Sequence, residues 1–591
     1  MLIRLTVAPR RLRGAVFFIL NALAFLLITP LSIFAQHDSA QTPFVAVSGT
    51  VTLSEDIYDF KTTPDGIEVP RRPPNLTRLV FAPTITIGDY ISLPFNIQLS
   101  SRETNFITSS VPNPTFVQFI ENPLNNLGFI SFSPKIGWAK AFIGTHTPMY
   151  SELSTGDQQI FGGGFDLTPG KFELAASTGI AQRAIEPDSA HGIKGAYART
   201  LSMAKIGFGN PDSSCFAINL LRMKDDPNSI LIPKSDSTAP QAQEGALASM
   251  NFGIQAMDAL RITGEAAVSG FTMDLNSTSV DIGGGIIPQS ILAQRISTRA
   301  DVAGTLVIDW KEKTWGIKTS GKYIGAGFVT PGYPYLTPDR LEFLVAPRVA
   351  LFSGGLALNA SLGYRVNNLS QTKAATSTQI IGSATALATF SDAFSISGQF
   401  ANFGVKNSET NDTLKIQSVA NSFSVTPTYV LTGSTGTHNI SVTYSLDVFN
   451  DYNTITGALA SNNTRNIQGL YSASWSAIPL STTFIVSSLL NHLPSADLTI
   501  NSMTLELDYA LADIKLTPIA QATYSEGTTK TPAIAFSPDI QRQLRAGLKW
   551  QIAKQITLRM TGTTTGFTYG GTRPGESFRE SLLESSIGVQ F

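Results

Sequence analysis

The stretch "LRAGLKWQIAKQITLRM" (residues 544–560) contains two alternations of apolar and polar side chains, separated by a short polar interruption. Apolar residues occupy every even position over 544–552, and the same pattern resumes over 556–560 after a break at 553–554. A period of two is typical of β-strands with one apolar and one polar face. The stretch therefore predicts an antiparallel β-hairpin.

The same alternation recurs at 503–511 and 356–366. It occurs both in soluble sandwiches, whose apolar faces point inward, and in membrane barrels, whose apolar faces point at lipid. Connection lengths separate the two, because up-and-down outer-membrane barrels alternate short periplasmic turns with longer outer loops. Short turns are expected at 87–90, 133–135, 168–170, 209–213, 258–259, 311–313, 353–354, 391–392, 432–436, 477–479, 512–513 and 553–554, and longer polar connections at 55–77, 103–126, 223–245, 273–299, 325–341, 451–466, 525–539 and 570–580.

This segmentation gives about 26 strands, within a range of roughly 22 to 28, beginning at 44–54 and ending at 581–591. An even strand number leaves both chain termini on the periplasmic side. We therefore predict an all-β fold: a single large transmembrane antiparallel up-and-down β-barrel in the cell outer membrane. Its short turns are expected in the periplasm and its long loops outside the cell.

The composition agrees with this class of protein. Charged residues make up 14% of the chain, against about 25% in typical soluble domains. Mean hydropathy is +0.09, which is too polar for a bundle of membrane helices. After residue 35 no apolar run reaches the ~18 residues that a membrane helix requires.

The first 35 residues have the layout of a secretory signal peptide. Four arginines precede an uncharged stretch over 14–35 that includes "AVFFILNALAFLL". Cleavage after Ala35 would make Gln36 the first residue of a mature barrel domain covering 36–591. The mature chain would carry 38 basic and 43 acidic side chains, a net charge of −5. A retained membrane anchor is the alternative for this segment.

Charged residues on the polar faces of the last strands would line the lumen of a barrel and influence its charge selectivity. They carry both signs, which argues against a pore strongly selective for one type of ion, and salt bridges along the wall are the alternative role. These residues are Arg545, Lys549, Arg559, Glu584, Glu506 and Asp508.

The chain ends on "SLLESSIGVQF" (residues 581–591), in which Phe591, Val589, Ile587 and Leu583 share one face. This pattern resembles the C-terminal signal of Gram-negative outer-membrane barrels. The resemblance implies that the barrel assembly machinery recognises these four residues during biogenesis.

A second resemblance covers about a quarter of the chain. The segments are "RRPPNLTRL" (71–79), "ISLPFNIQLSS" (91–101), "NPLNNLGFISFSPKIGWAKAFIG" (122–144) and "YSELSTGDQQIFGGGFDLTPGKFELAASTG" (150–179). Together they resemble a poorly characterised, porin-like family of outer-membrane barrel proteins from Bacteroidota-type bacteria. The resemblance implies location and fold, and no activity or site residue is carried over from it.

Signatures of catalysis or cofactor binding are not visible. The five histidines are scattered, and no local pattern places one beside a serine nucleophile. Cys215 is the single cysteine, so a disulfide framework or a cysteine metal site is not expected. The glycine-rich stretch over 161–172 lacks the Gly-Lys-Ser/Thr ending of a phosphate loop and predicts strand, turn and strand instead. We predict no enzyme activity, no cofactor, no metal site and no nucleic-acid partner.

The predicted function is a pore or transport conduit for solutes or larger cargo. Because a barrel this wide would leak, long loops at 103–126, 223–245 and 273–299 are expected to fold inward, or a partner is expected to close it. The alternative is a non-conducting scaffold or secretion-machinery component that docks periplasmic or surface proteins. A secreted β-sandwich adhesin is a third possibility. The expected partners of the barrel are outer-membrane lipid and the assembly machinery.

Overall fold

The computed structural model describes residues 44–591 except 64–65, 67, 89, 101–128, 157, 188–192, 232–239, 281–291 and 572. Twenty-seven β-segments make up almost all of its regular structure, with one short helix, α1 (Gly457–Ala460), and two 3₁₀ turns (Phe352–Gly354 and Ala512–Ile514). Among the described residues, no helix is long and apolar enough to cross a membrane. The predicted signal peptide, with Ala35 and Gln36, lies outside the described residues and stays a prediction.

The β-segments follow one another around a single sheet. They are β1 (Val45–Thr62), β2 (Asn75–Ile87), β3 (Ile91–Ser100), β4 (Phe129–Phe132), β5 (Lys135–Ile136), β6 (Ala139–His146), β7 (Ile160–Leu167), β8 (Phe172–Gln182), β9 (Arg199–Gly209), β10 (Cys215–Asp225), β11 (Glu244–Met257), β12 (Leu260–Thr272), β13 (Thr298–Lys311), β14 (Trp315–Ile324), β15 (Arg340–Leu351), β16 (Leu356–Asn367), β17 (Ser377–Thr389), β18 (Phe394–Asn407), β19 (Gln417–Gly433), β20 (Gly436–Asp451), β21 (Asn462–Trp475), β22 (Leu480–His492), β23 (Asp497–Tyr509), β24 (Leu516–Lys530), β25 (Asp539–Ala553), β26 (Ile556–Thr568) and β27 (Ser577–Gln590).

The sheet is a closed antiparallel barrel of 26 strands, as predicted. β4 and β5 both pair with β3 on one side and β6 on the other, so they are two parts of one barrel strand. β1 pairs with β27 from Thr50↔Gln590 to Thr62↔Phe578, which closes the ring. Closure pairs the backbone groups of every strand and removes the exposed edges that an open sheet would present.

Apolar side chains lie on the outer face of this barrel. In β23, Met503, Leu505 and Leu507 are 49%, 39% and 36% exposed, while the alternating Glu506 and Asp508 lie on the opposite, less exposed face. A water-soluble sandwich would bury the apolar set instead. The inverted exposure is that of a barrel whose outer surface contacts lipid.

The height of the apolar surface matches a membrane. On the outer face of β25, apolar side chains run from Ile552 up to Leu544 and end at Arg542. The eight steps from Ile552 to Leu544, at ~3.4 Å each and tilted by ~40°, rise about 21 Å, somewhat less than the ~25 Å band of outer-membrane barrels. Exposed tryptophans mark its lower edge: the rings of Trp310 and Trp315 stack at 6.1 Å beside the turn between β13 and β14.

The connections at one end of the barrel, here called the short-turn end, contain two to six residues, and most at the other end, the long-loop end, contain eight or more. The predicted turn at 133–135 is wrong. The chain passes through Pro134 without reversing, because the Pro134 carbonyl still accepts the Ala141 N–H at 2.8 Å. The reversal comes at Gly137 and Trp138, with Gly137 at φ +54°.

The first and last strands of the chain are also longer than predicted. β1 continues to Thr62 rather than ending at Ser54, and β27 begins at Ser577 rather than Ser581. The parts of these strands near the long-loop end are polar, so the sequence predicts loops there. The hydrogen-bonded ladder between the two strands nevertheless continues beyond the apolar band.

Candidate functional site

Two loops from the long-loop end pack together against one side of the barrel's inner wall. Loop A (147–159) joins β6 to β7, and loop B (325–339) joins β14 to β15. They meet in a short parallel bridge, in which the Gly156 N–H donates to the Gly332 carbonyl at 2.7 Å. The Thr330 hydroxyl donates to the Ser154 carbonyl at 2.7 Å and adds a second link. The two loops therefore form one unit.

Glycine permits this close approach. A Cβ at Gly332 would lie 2.3 Å from the Ser154 carbonyl oxygen, and one at Gly156 would lie 2.5 Å from the ring of Tyr333. Both distances are shorter than any side chain tolerates, so these positions in loops A and B require glycine for the packing to form.

A buried carboxylate anchors loop A to the barrel wall. Glu265 of β12 is only 6% exposed, and its Oε1 accepts the Ser151 hydroxyl at 2.6 Å. Its Oε2 accepts the Leu153 backbone N–H at 3.1 Å. A hydroxyl of the same strand anchors loop B, because Ser269 Oγ accepts the Val329 N–H at 3.1 Å.

Apolar side chains seal the contact. Leu153 of loop A and Phe328 of loop B are 0% and 2% exposed. They belong to one buried cluster with inward-facing residues of β9–β14, which are Leu201, Met203, Leu221, Met223, Leu247, Ala267, Phe271, Ala303 and Ile324. Tyr150 joins the cluster, and burial raises the pKa of its hydroxyl to about 12, which keeps it neutral. The wall under the two loops is thus an interior core rather than a wetted lumen surface.

The loops expected to fold inward differ from these two. The segment 103–126 lies outside the described residues. In the described parts of 223–245 and 273–299, Ile230, Ala242 and Leu275 pack with Tyr197 in a separate cluster among the outer connections. One sequence feature could have indicated that loops cover this wall: the apolar residues on the inner face of β9–β12. A lumen wall in contact with water would not need them.

A second cluster closes the seam between the first and last strands at the long-loop end. Glu68 accepts hydrogen bonds from the Tyr569 hydroxyl (2.5 Å) and from Arg573 Nη2 (3.0 Å). These two bonds lower the pKa of the Glu68 carboxyl. Arg71 lies 3.6 Å from Glu580 and its guanidinium sits over the ring of Phe578. The loops 63–74 and 569–576 are therefore tied together across the point of barrel closure.

The six charged residues expected in the lumen all lie on the inner face. Glu506 is opposite Gln521, which is opposite Arg545, and Lys549 is opposite Arg559. Within the described part of the chain, none of the six has an ion-pair partner within 4 Å; Glu506 accepts the Gln521 side-chain amide at 3.0 Å instead. The structure places them on four strands, β23 and β25–β27, without forming ion pairs between them.

The four residues expected to act as an assembly signal lie on β27 and at its end. Val589, Ile587 and Leu583 share one face of β27, in register with β1 and β26, and Ile587 is buried there at 9% exposure. The backbone of Phe591 exchanges two hydrogen bonds with Gly49, at 2.8 and 3.1 Å. Recognition of these residues during biogenesis stays a prediction.

One serine and histidine pair that the sequence did not indicate lies in the inner wall. His146 Nε2 is 3.3 Å from Ser177 Oγ, and His146 Nδ1 is 3.1 Å from the Gly144 carbonyl. Ser177 is 5% exposed and His146 8%, and the second ring nitrogen faces a backbone carbonyl rather than a carboxylate. A nucleophile needs access and an oriented base, so this arrangement fits a packed hydrogen bond. No group of His, Cys, Asp and Glu suited to a metal ion occurs among the residues that the structure describes.

No protein-family model matches this chain, and no curated protein matches it. Solved structures of similar architecture include the translocation pore of the P pilus usher PapC, at 8% identity over 92% of this chain and 99% of that chain, with a TM-score of 0.35. The outer-membrane protein OpdK from Pseudomonas aeruginosa shares 12% identity over 59% and 94%, with a TM-score of 0.28. A bacterial polysaccharide outer-membrane secretin shares 14% identity over 56% and 97%, with a TM-score of 0.25. The fold of the present chain rests on its own strand register.

Proposed function

We propose that this protein is an outer-membrane channel that conducts solutes through the half of its lumen that loops A and B leave uncovered. The observation that carries the proposal is the polar inner wall of β18–β27. Ser424, Ser445 and Asn466 are directly opposite one another on three consecutive strands of this wall. A surface of hydroxyl and amide groups inside a lipid-facing barrel is suited to a water-filled path.

The proposal includes an orientation. The described ends of the chain, at 44 and 591, both lie at the short-turn end. In bacterial outer-membrane barrels this end faces the periplasm. Loops A and B would then enter the lumen from outside the cell and narrow it, which limits the leak that a ring of 26 strands would otherwise produce.

Planar-bilayer recording of the purified, folded protein tests this function. We expect stepwise currents from single insertions. A difference in detergent-gel mobility between unheated and heated samples would establish that the barrel is folded. A folded barrel that gives no current and co-purifies with other proteins would contradict the channel and favour the docking scaffold. Cell fractionation tests the location, and recovery in the soluble fraction without detergent would contradict both.

The proposal assigns no catalysis to the chain. Replacing Ser177 with alanine is expected to leave any hydrolytic activity of membrane preparations unchanged, because the hydroxyl is buried against His146 and Tyr150.

A further inference from the structure

A row of cations crosses the outer face of the last strands near the long-loop end. Arg542 of β25 is directly opposite Gly566 of β26, which is directly opposite Arg579 of β27. Arg579 is in turn opposite Lys61 of β1, beside the point of barrel closure. Residues directly opposite each other in an antiparallel ladder share one face of the sheet. Because Arg542 continues the lipid-facing alternation of β25, the whole row lies on the outer face.

The row lies at the level where the apolar surface of the barrel ends. The ten residue steps from Ile552 to Arg542, at ~3.4 Å each and tilted by ~40°, rise about 26 Å. An outer-membrane barrel has an apolar band ~25 Å tall, so Arg542 lies at its upper edge. The headgroups of the surrounding lipids are expected at this level.

Gly566 leaves a gap between the two arginines. A Cβ at this position would meet no atom within 4 Å, so the space over the glycine is open. Neighbouring strands are ~4.8 Å apart, which places the Cα atoms of Arg542 and Arg579 about 10 Å from each other. An arginine side chain spans more than half of that distance, so both guanidinium groups can reach one ligand over Gly566. The hydroxyl groups of Thr564 and Ser581, 3.4 Å apart, lie on the same face two residues below and add donors.

The two arginines carry positive charge that the described chain does not neutralise. Both are exposed, and neither has a carboxylate within 4 Å among the residues that the structure describes. Two carboxylates share this part of the outer face, but each has another partner. Asp59 lies 3.7 Å from Lys61, and Glu526 accepts the Tyr524 hydroxyl at 3.1 Å. The charge at the gap is therefore available to an anion from outside the chain.

We propose that Arg542, Gly566 and Arg579 form a seat for the phosphate group of a membrane lipid. A guanidinium binds phosphate through parallel charge-assisted hydrogen bonds, and two arginines beside one gap bind the same group from both sides. The ligand is a lipid rather than a soluble phosphate because Leu544 and Leu583 lie beneath the seat on the same face, where they contact hydrocarbon chains. In the orientation proposed above, this lipid belongs to the outer leaflet.

Native mass spectrometry of the purified, folded protein in a neutral detergent tests the seat. The probe is phosphatidic acid, and phosphatidylcholine with the same chains is the comparison lipid without net charge. We expect the wild type to bind phosphatidic acid more tightly than phosphatidylcholine. Each arginine beside an anionic lipid contributes about fivefold in affinity, so Arg542→Gln/Arg579→Gln should weaken the binding of phosphatidic acid roughly 30-fold.

Matched variants separate the seat from general attraction of charge. Lys549→Gln/Arg559→Gln removes the same number of charges from the inner face of β25 and β26 and is expected to keep the wild-type affinity. Gly566→Leu keeps both arginines but fills the gap, so it should weaken binding although no charge is lost. It also provides an independent test if the double variant of the seat fails to fold. The mobility of unheated samples in detergent gels establishes which variants are folded.

Three results would overturn the proposal. The first is equal affinity of the wild type for the two lipids. The second is an equal loss of affinity in the inner-face variant, or no loss in folded Gly566→Leu. The third is displacement of phosphatidic acid by an equal concentration of inorganic phosphate, because the seat would then bind free phosphate rather than lipid. The measurement needs no current, so its result is independent of the proposed channel.

Discussion

Leu153 provides the sharpest test of the packed loops. Its side chain is fully buried between loop A and the inner wall, within the cluster that contains Phe328. Replacement by alanine removes three carbon atoms, and buried Leu→Ala changes cost ~2.7–5 kcal/mol when the transfer and cavity contributions are added. Since 1.4 kcal/mol corresponds to a factor of ten, a loss of ~3 kcal/mol moves the equilibrium between packed and released loops about 100-fold.

Single-channel recording measures this change directly. If loops A and B narrow the lumen, Leu153→Ala should spend more time in a state of larger conductance than wild type. Met149 is 71% exposed on the same loop, so Met149→Ala is the matched control and should change the packing energy by less than ~0.5 kcal/mol. Equal conductance and equal open-state occupancy in Leu153→Ala, Met149→Ala and wild type would refute the packing of loop A in the lumen.

Four further results are expected. Glu265→Gln retains the side-chain volume but loses one acceptor and the charge, which should weaken loop A by ~1.5–3 kcal/mol and increase the large-conductance state in the same recordings. Gly332→Val should release the loops more completely, because its Cβ would collide with backbone 2.3 Å away; wild-type conductance would contradict the close approach. The hydrogen bonds that lower the pKa of Glu68 stabilise the seam above pH ~4.5, and this stabilisation is lost as the pH falls through the folded-state pKa. The difference in Tm between wild type and Glu68→Gln should therefore disappear in acid. Deletion of Phe591 should reduce the amount of barrel assembled in the membrane while leaving the conductance per inserted molecule unchanged, and normal insertion would contradict its role as a signal.

The sequence predicts the barrel because one face of most strands is apolar and the other polar. In β23 this contrast assigns Met503 outward and Glu506 inward without any knowledge of the neighbouring strands. Turn positions follow from the same pattern, since the alternation of apolar and polar residues is lost for a few residues at each reversal. The wrong prediction of a turn at 133–135 has a local cause. Pro134 has no N–H to donate to the ladder, yet its carbonyl still accepts a hydrogen bond, so the strand is interrupted there without reversing.

The packed loops could not be assigned in the same way. β10 has apolar residues on both faces, with Leu220 outward and Leu221 and Met223 inward. Such a strand shows that both faces are covered, but it does not identify what covers the inner one. The partners of Glu265 are more than 100 residues away in sequence, and only the closed ring brings loop A to them.

The described inner wall has two parts of different chemical character. Near the long-loop end, loops A and B cover an apolar part of the inner wall of β9–β14, whereas the inner wall of β18–β27 carries hydroxyl and amide side chains such as Ser424, Ser445 and Asn466. In the proposed channel, solutes would therefore pass along the wall of β18–β27 at the long-loop end. If loops A and B narrow the proposed channel, Leu153→Ala should change its conductance without changing the sign of its ion preference, because the charged side chains of the inner wall stay in place.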